Sequence, residues 1–347
     1  MTEYIVYRHN PGIDPTMHIW GWEIPVYLYL GGLVAGLMIL SGYHIIRSQW
    51  DRDRAHGHYV TAPLLSLALL SAGMLALFLD LDHKFYVWRL YLTFHVGSPM
   101  SWGSWILLFV YPFLIASALL TLPGALPRFV RLVPLLERIS LAVAARPQWV
   151  NVIGFGNIVV GAMLGVYTGV LLSALGARPL WNSALLGPLF LFSGLSTGAA
   201  TLHLISHLTP REHRDEENFG DALVSALAHW LRPPSGVDGS HKLEQADNSF
   251  LTIEFVLLAL YLGGLMTSTE AHQNGAHLLL NGPWAAPFWV LVVCIGIIIP
   301  LVIQFLQAQR RIQPTTIPAL FVLSGGLALR LILVAAGQAS HWAVALH

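Results

Sequence analysis

The stretch that decides the fold is Trp22-Glu23-Ile24-Pro25-Val26-Tyr27, which runs into Leu30-Gly31-Gly32-Leu33-Val34-Ala35-Gly36. It lies in an apolar run over 19–46, and about 20 such residues suffice for a helix to cross a bilayer. Seven more runs follow, at 60–81, 101–122, 149–175, 184–207, 250–269, 283–306 and 317–337. Spanning segments must satisfy their backbone hydrogen bonds internally, and the alternation typical of barrel strands is missing. The sequence therefore predicts an all-α, polytopic membrane bundle of eight transmembrane helices, forming a single domain over 1–347.

The composition supports a membrane protein and excludes several functions. Charged residues make up 10% of the 347 residues, against roughly 25% in soluble domains. The 18 basic and 18 acidic residues balance, so no basic face for nucleic acid is expected. Cys294 is the single cysteine, which excludes an intrachain disulfide and an iron–sulfur cluster held by this chain alone. We expect no metal or haem in the chain.

The basic residues predict the orientation of the bundle. Thirteen of them fall in the connections after the first, third, fifth and seventh spans, and four fall on the opposite side. Because basic residues concentrate on the cytoplasmic side, we expect these odd-numbered connections in the cytoplasm and both termini in the periplasm. The expected location is the bacterial inner (cytoplasmic) membrane. The first 17 residues are polar, so no cleavable signal peptide is expected.

Two of the cytoplasmic connections are long. The basic segment 123–148 is predicted to lie on the membrane surface. The loop 208–249 contains apolar residues on one helical face over 218–231, which predicts an interfacial amphipathic helix.

Polar residues inside or at the ends of spans are costly in lipid and therefore informative. On the outer side, Glu23 lies within the first run, Asp80 and His83 close the second, Arg89 follows, and Arg330 lies in the last run. Glu23 and Arg330 could pair with each other or with neighbours to hold the bundle, or could line a polar cavity. Trp88, Trp105 and Trp181, taken singly, are expected in an aromatic belt at the membrane interface.

Three stretches resemble the NrfD/PsrC family, the membrane subunits of polysulfide-reductase-like quinone oxidoreductases. The first is the opening stretch quoted above, and the second runs from Asp80 through Arg89 to Ser98-Pro99-Met100-Ser101-Trp102-Gly103-Ser104-Trp105. The third is Tyr167-Thr168-Gly169-Val170-Leu171-Leu172, followed by Arg178-Pro179-Leu180-Trp181-Asn182 and Ser193-Gly194-Leu195-Ser196-Thr197-Gly198. One departure is Asp80-Leu81-Asp82-His83-Lys84, where the family often has an Asp-Leu-Gly-Arg-Pro type of segment.

The resemblance implies a quinone-binding subunit without haem. It also implies an iron–sulfur partner of the ferredoxin-like, four-cluster type and a molybdopterin catalytic subunit. The quinone pocket is implied among the first helices, where Glu23 and Tyr27 match, and Tyr167 is carried over from the fourth.

The residues themselves point the same way, because a quinone needs an apolar slot, hydrogen-bond donors and a titratable group. We therefore assign quinone contacts to Glu23, Tyr27, His83, Arg89 and Tyr167. Proton exchange is assigned to Glu23, Asp80 and His83.

A second set of polar residues could form a proton path, since chains of Glu and His serve such paths. The set is His44, His203, His207, Glu254 and Arg330. His203 and His207 share one helical face, being four residues apart. Helix contacts near the interface are the alternative explanation for these side chains.

Two other functions stay open at this point. A haem-b membrane anchor would use histidines from separate spans, and a secondary transporter would also have interrupted helices and intramembrane charges. The sequence leaves open the terminal substrate, the direction of electron flow, the choice between menaquinone and ubiquinone, and whether protons are pumped.

Overall fold

The computed structural model describes residues 20–48, 57–81, 83–126, 130, 133–208, 238–309, 311 and 315–340. The described part of the protein is helical, and it contains eight helices long and apolar enough to cross a membrane, which confirms the predicted fold class and number of spans. We label them α1 Glu23–Ser48, α2 Gly57–Asp80, α3 Pro99–Ala125, α4 Pro147–Ser173, α5 Leu186–Leu208, α6 Asp238–Met266, α7 Ala285–Gln307 and α8 Ile317–Ala339.

The spans form two groups of four, α1–α4 and α5–α8, and α1 contacts helices of both groups. In the first group α1 packs on α2 and α4, and α3 closes the ring between them. In the second group α5 packs on α6 and α8, and α7 packs mainly on α8. The groups meet where α1 and α4 contact α5 and where α1 contacts α8. Helix α7 is π-helical over Phe288–Ile298, and its Gly296 faces Gly325 of α8.

Short helices lie in the connections. A 3₁₀ turn Lys84–Tyr86 and a helix Arg89–Leu92 join α2 to α3. The helix Pro134–Ala144 lies in the segment predicted for the membrane surface, and Ser140 in it donates a hydrogen bond to the Leu120 carbonyl at 3.0 Å. Helix Glu270–Leu280 precedes α7. The predicted amphipathic helix over 218–231 lies outside the described residues, and α6 begins at Asp238, well before residue 250.

Glycines set how closely α1 and α5 approach. Gly32 and Gly36 are four residues apart on α1, and Gly194 and Gly198 have the same spacing on α5. A methyl group added at Gly36 would overlap the backbone carbonyl of Gly194, and one at Gly198 would overlap the backbone of Gly36. Pairs of small residues at this spacing let helix backbones touch in membranes. The opening stretch of sequence therefore places α1 in direct backbone contact with α5.

The start of the first span and the end of the last span are tied together. The Trp20 amide donates to the Gln338 side chain at 3.2 Å, and the Gln338 amide donates back to the Trp20 carbonyl at 3.1 Å. Trp20 also stacks on Trp181, with ring centroids 5.3 Å apart.

The belt prediction is wrong for Trp181, whose side chain is fully buried. Its indole nitrogen donates to the Leu333 carbonyl at 2.8 Å, and its ring fills the space beside Gly337, where a methyl group would overlap it. Trp88, in contrast, is 51% exposed. The difference arises because the 174–185 connection folds inward over the bundle, where Arg178 donates to the Ser340 carbonyl at 2.9 Å.

Candidate functional site

Four tyrosines converge among α1, α3, α4 and the α2–α3 connection. The phenols of Tyr91, Tyr111 and Tyr167 are electrostatic neighbours of the Tyr27 phenol. Tyr27 and Tyr167 are 3% and 5% exposed. The Tyr167 hydroxyl lies beside Gly103, where a methyl group would overlap it. We call Tyr27, Tyr91, Tyr111 and Tyr167 the tyrosine cluster.

Hydrogen bonds to the start of α3 position the Tyr91 segment. Ser104 donates to the Leu90 carbonyl at 2.7 Å, and Ser101 donates to the Thr93 carbonyl at 3.2 Å. Partial burial, with a smaller contribution from Tyr111, raises the pKa of the Tyr91 phenol above its ordinary value. The Tyr91 hydroxyl is therefore neutral and able to donate.

The predicted carboxylates Glu23 and Asp80 lie at helix ends. Glu23 occupies the first turn of α1, four residues before Tyr27 and so on the same helical face. It is half-buried, and its carboxylate lies beside Gly21. An acidic side chain in the first turn also interacts favourably with the helix dipole. Asp80 is the last residue of α2 and is partly buried.

His83 and Arg89 lie on the exposed surface of the α2–α3 connection. The Arg89 guanidinium is 4.7 Å from the Tyr86 ring centroid and 5.6 Å from that of Trp88. Of the residues predicted to contact quinone, the structure therefore brings Tyr27 and Tyr167 together. Arg89 instead lies against Tyr86 and Trp88 of its own connection.

A second polar centre lies between α5, α6 and α8. Arg330 is fully buried; its Nη1 donates to Ser193 Oγ at 2.5 Å and to the Gly326 carbonyl at 2.9 Å, and its guanidinium lies 5.0 Å from the Phe190 ring centroid. Glu254, 4% exposed, accepts a hydrogen bond from Ser196 at 2.8 Å.

The two charges of this centre act on each other. Ser193 is also within hydrogen-bonding reach of the Glu254 carboxylate, and Arg330 and Glu254 are electrostatic partners. We call Arg330, Glu254, Ser193 and Ser196 the buried polar centre. Arg330 therefore interacts with neighbours on α5, α6 and α8, and its guanidinium also lies beside Gly32 and near Tyr29 of α1.

Two histidines of the predicted proton path, His44 and His203, lie apart from this centre. His44 on α1 stacks on Tyr59 of α2, with centroids 4.1 Å apart. His203 on α5 is 9% exposed and lines a small cavity with Asp247 and Gln304. The side chain of His207 lies outside the described part of the protein.

Sequence reasoning missed Tyr91, Tyr111 and Asp247. Tyr91 and Tyr111 carry no motif of their own, and only the path of the backbone brings them to Tyr27. Asp247 falls in the predicted loop 208–249, whereas the structure places it inside helix α6 and buries its side chain. Ser193 and Ser196 belong to the third stretch that resembles the family. Their spacing of three residues indicates that both hydroxyls lie on one helical face.

A larger concavity, about 500 Å³, lies between α6 and α7. Its lining is Asn248, Thr252, Leu301, Val302, Phe305 and Leu306. This groove has no titratable side chain, which makes it suited to an acyl tail and unsuited to quinone chemistry. Within the described ranges no group of three or more His, Cys, Asp or Glu side chains is placed to hold a metal ion.

The eight long apolar helices, with tyrosines, a glutamate and an arginine buried among them, define the class of the protein as a polytopic membrane protein. The family model described as "Polysulphide reductase, NrfD" matches residues 9–230 and 237–341. The protein belongs to this family, which confirms the resemblance.

Three curated relatives match over nearly the whole sequence. The C polypeptide of the polysulfide reductase of Wolinella succinogenes is 30% identical over 92% of this sequence and 94% of its own. The Protein NrfD homolog of Haemophilus influenzae is 25% identical over 97% and 98%. The C polypeptide of the selenate reductase of Mesobacillus selenatarsenatis is 23% identical over 91% and 73%.

Proposed function

We propose that this protein is the quinone-reactive membrane subunit of a multi-subunit oxidoreductase. The observation that carries the proposal is the convergence of Tyr27, Tyr91, Tyr111 and Tyr167 one helical turn from Glu23. Phenols are hydrogen-bond donors to the two carbonyl oxygens of a quinone, and the surrounding helices supply an apolar slot.

Proton exchange at this site needs a titratable group beside the phenols. Glu23 is the group assigned here, because it is half-buried and stands on the Tyr27 face of α1. Asp80 and His83, at the end of α2 and just after it, are assigned to exchange with the outer aqueous phase. Arg89 is assigned to the rim of the site, held by its contacts with Tyr86 and Trp88.

Electrons must reach the quinone through another subunit. We propose an iron–sulfur partner of the ferredoxin-like, four-cluster type that contacts this protein, and a molybdopterin subunit behind it. Two relatives are named as lettered polypeptides of a polysulfide reductase and of a selenate reductase, which supports a place in a complex. Their different substrates support the interpretation that the terminal substrate is set by another subunit.

Protons for quinone chemistry are proposed to pass through the second group of helices. Glu254 and Arg330 are both buried; Ser196 donates a hydrogen bond to the Glu254 carboxylate, and the Arg330 guanidinium donates one to Ser193. Ionisable residues kept at such depth typically serve ion or proton movement. His203 and His207 on α5, and His44 on α1, are the histidines proposed to supply it.

The test replaces Glu23 with glutamine and Tyr27 with phenylalanine in the intact complex. Glu23→Gln keeps hydrogen bonding but cannot titrate, so quinone turnover should fall by about 10²-fold or more, since a placed proton donor is worth roughly 10²–10⁴-fold. Tyr27→Phe removes one donor, so its smaller effect should appear mainly as a raised KM for quinone. The measurement is quinone-linked activity per intact complex.

Tyr43→Phe is the matched control, because Tyr43 is 55% exposed and its hydroxyl accepts a hydrogen bond from Arg47 at 2.8 Å. Full activity of both site variants would remove the tyrosine cluster from the quinone site. Loss of complex with normal turnover in what assembles would instead assign Glu23 a structural role.

The orientation is tested by a C-terminal reporter. The thirteen-to-four distribution of basic residues favours termini in the periplasm of a bacterial inner membrane. A fusion that is active only in the cytoplasm should therefore be silent, and a periplasm-active fusion at the same position should be active. Strong cytoplasmic activity would place the tyrosine cluster on the cytoplasmic side.

A further inference from the structure

Four elements meet at a small cavity beside Asp247 of α6, whose lining combines polar side chains with Ala199, Pro318 and Ala319. The cavity measures about 10 Å³ and is lined by polar side chains from α5, α6, α7 and the residues before α8. These are His203, Asp247, Gln304, Gln307 and Thr315. A volume of roughly 10–15 Å³ holds one water molecule when polar partners surround it.

Gln304 indicates what this cavity binds. Its side chain is 6% exposed, and its Nε2 donates to Asp247 Oδ2 at 2.7 Å. Its Oε1 is buried and receives no hydrogen bond from any residue that the structure describes. A buried amide oxygen needs a donor, and a water molecule in this cavity supplies one. The cavity therefore has the size and the polar partner to hold one water molecule beside Asp247.

The cavity lines up with the buried polar centre. Asp247 and Glu254 are seven residues apart on α6, and His203 and Ser196 are seven apart on α5. Seven residues make about two turns, so each pair shares a face at a separation of about 10.5 Å along the axis. That distance is too long for a direct hydrogen bond.

An apolar layer occupies the interval between them. Its members come from α5, α6 and α8, and all are fully or almost fully buried: Ala200, Leu251, Ala319 and Val322. Leu251 lies midway between Asp247 and Glu254 on α6. We call these four residues the apolar layer.

We propose that the Asp247–Gln304 cavity is a proton-loading site and that the apolar layer is the barrier between this site and Glu254. The Asp247 carboxylate takes a proton from a hydronium ion of the adjoining aqueous phase, which becomes water as the carboxyl O–H bond forms. When water crosses the layer, that O–H bond breaks and the proton passes along the water to the Glu254 carboxylate. No electrons move in either step. Only the use of this proton in quinone chemistry rests on the proposed function.

The experiment measures passive proton conductance of the full-length protein in liposomes. A pH difference is imposed across the vesicle, the electrical potential is clamped with potassium and valinomycin, and an entrapped pH dye reports the flux, with no quinone or reductant present. Leu251→Ser places a hydroxyl in the apolar layer and should raise the proton flux at least about tenfold. Leu251→Ser combined with Asp247→Asn should return the flux to the wild-type level.

Leu260→Ser is the matched control, because Leu260 lies on the same helix and is 55% exposed. Val322→Thr hydrates the same layer from α8 with little change of shape, and it replaces Leu251→Ser if that variant does not yield folded protein. Fluxes equal to that of the control, or a leak that persists without Asp247, would overturn the proposal. Because no quinone is present, these outcomes are independent of whether Glu23 and Tyr27 serve a quinone.

Discussion

Replacement of Arg330 by methionine should destabilise the protein by about 3–5 kcal/mol, the usual cost of leaving a buried charge without a compensating charge. The fully buried guanidinium interacts with the charge of Glu254, which is itself 4% exposed. Without it, the carboxylate stays in the bundle with hydroxyl groups as its remaining partners. Thermal unfolding of the purified protein in detergent measures the effect as a lowered Tm, and the amount of protein recovered from membranes should fall with it.

The double variant Arg330→Met with Glu254→Gln tests the cause. Removing both charges should recover most of the lost Tm, because the glutamine still accepts from Ser196 and brings no charge. Part of the loss should remain, since Arg330 also contacts Phe190 and Ser193. A double variant no more stable than Arg330→Met alone would show that the two charges do not stabilise each other.

Replacement of Gly36 by leucine should abolish assembly of the bundle. The added side chain begins with a Cβ that would overlap the carbonyl of Gly194, which is backbone and cannot rotate away. Overpacking of a well-packed core typically costs about 1–3 kcal/mol, and forcing apart α1 and α5, the central crossing, is expected to exceed that range. The measurement is the fraction of protein that is monodisperse after extraction from membranes.

Gly263→Leu is the matched control, because a Cβ at Gly263 on α6 meets nothing within 4 Å among the described residues. This variant introduces the same side chain into another spanning helix and should assemble normally. If both variants assemble equally, the close approach of α1 and α5 does not decide the fold.

The number of spans was predictable because each helix must be apolar over its own length, which makes it a local property of the sequence. The neighbours of each helix depend on pairing across the bundle, and no periodicity reports that. Glu254 and Arg330 were each recognisable as ionisable residues inside a span. That Glu254 on α6 and Arg330 on α8 lie around the same serines of α5 was not predictable. The hydropathy pattern does not show which helices pack against α5.

The depth of Glu254 illustrates a second limit. The apolar run begins at 250, which places Glu254 near the inner end of its helix. Helix α6 instead begins at Asp238, and its Asp247 is buried and hydrogen-bonded to Gln304, so the start of the apolar run does not mark the start of the helix. The belt prediction for Trp181 was wrong for a related reason. Composition does not distinguish a tryptophan at the lipid interface from one that fills the space beside Gly337.

Arg330 lies in the last span, so the ribosome makes it after Ser193 and Glu254, the residues of the buried polar centre on α5 and α6. Arg330 follows Ser193 by 137 residues. At about 5–20 residues per second, this separation is an interval of roughly 7–27 s. Glu254 leaves the ribosome within that interval, ahead of the basic residue that balances it. Until α8 is synthesised, α6 therefore carries the Glu254 carboxyl without the basic residue of the last span. Polypeptides that stop before α8 are expected to be recognised by membrane proteases, which makes completion of the last helix a natural checkpoint for biogenesis.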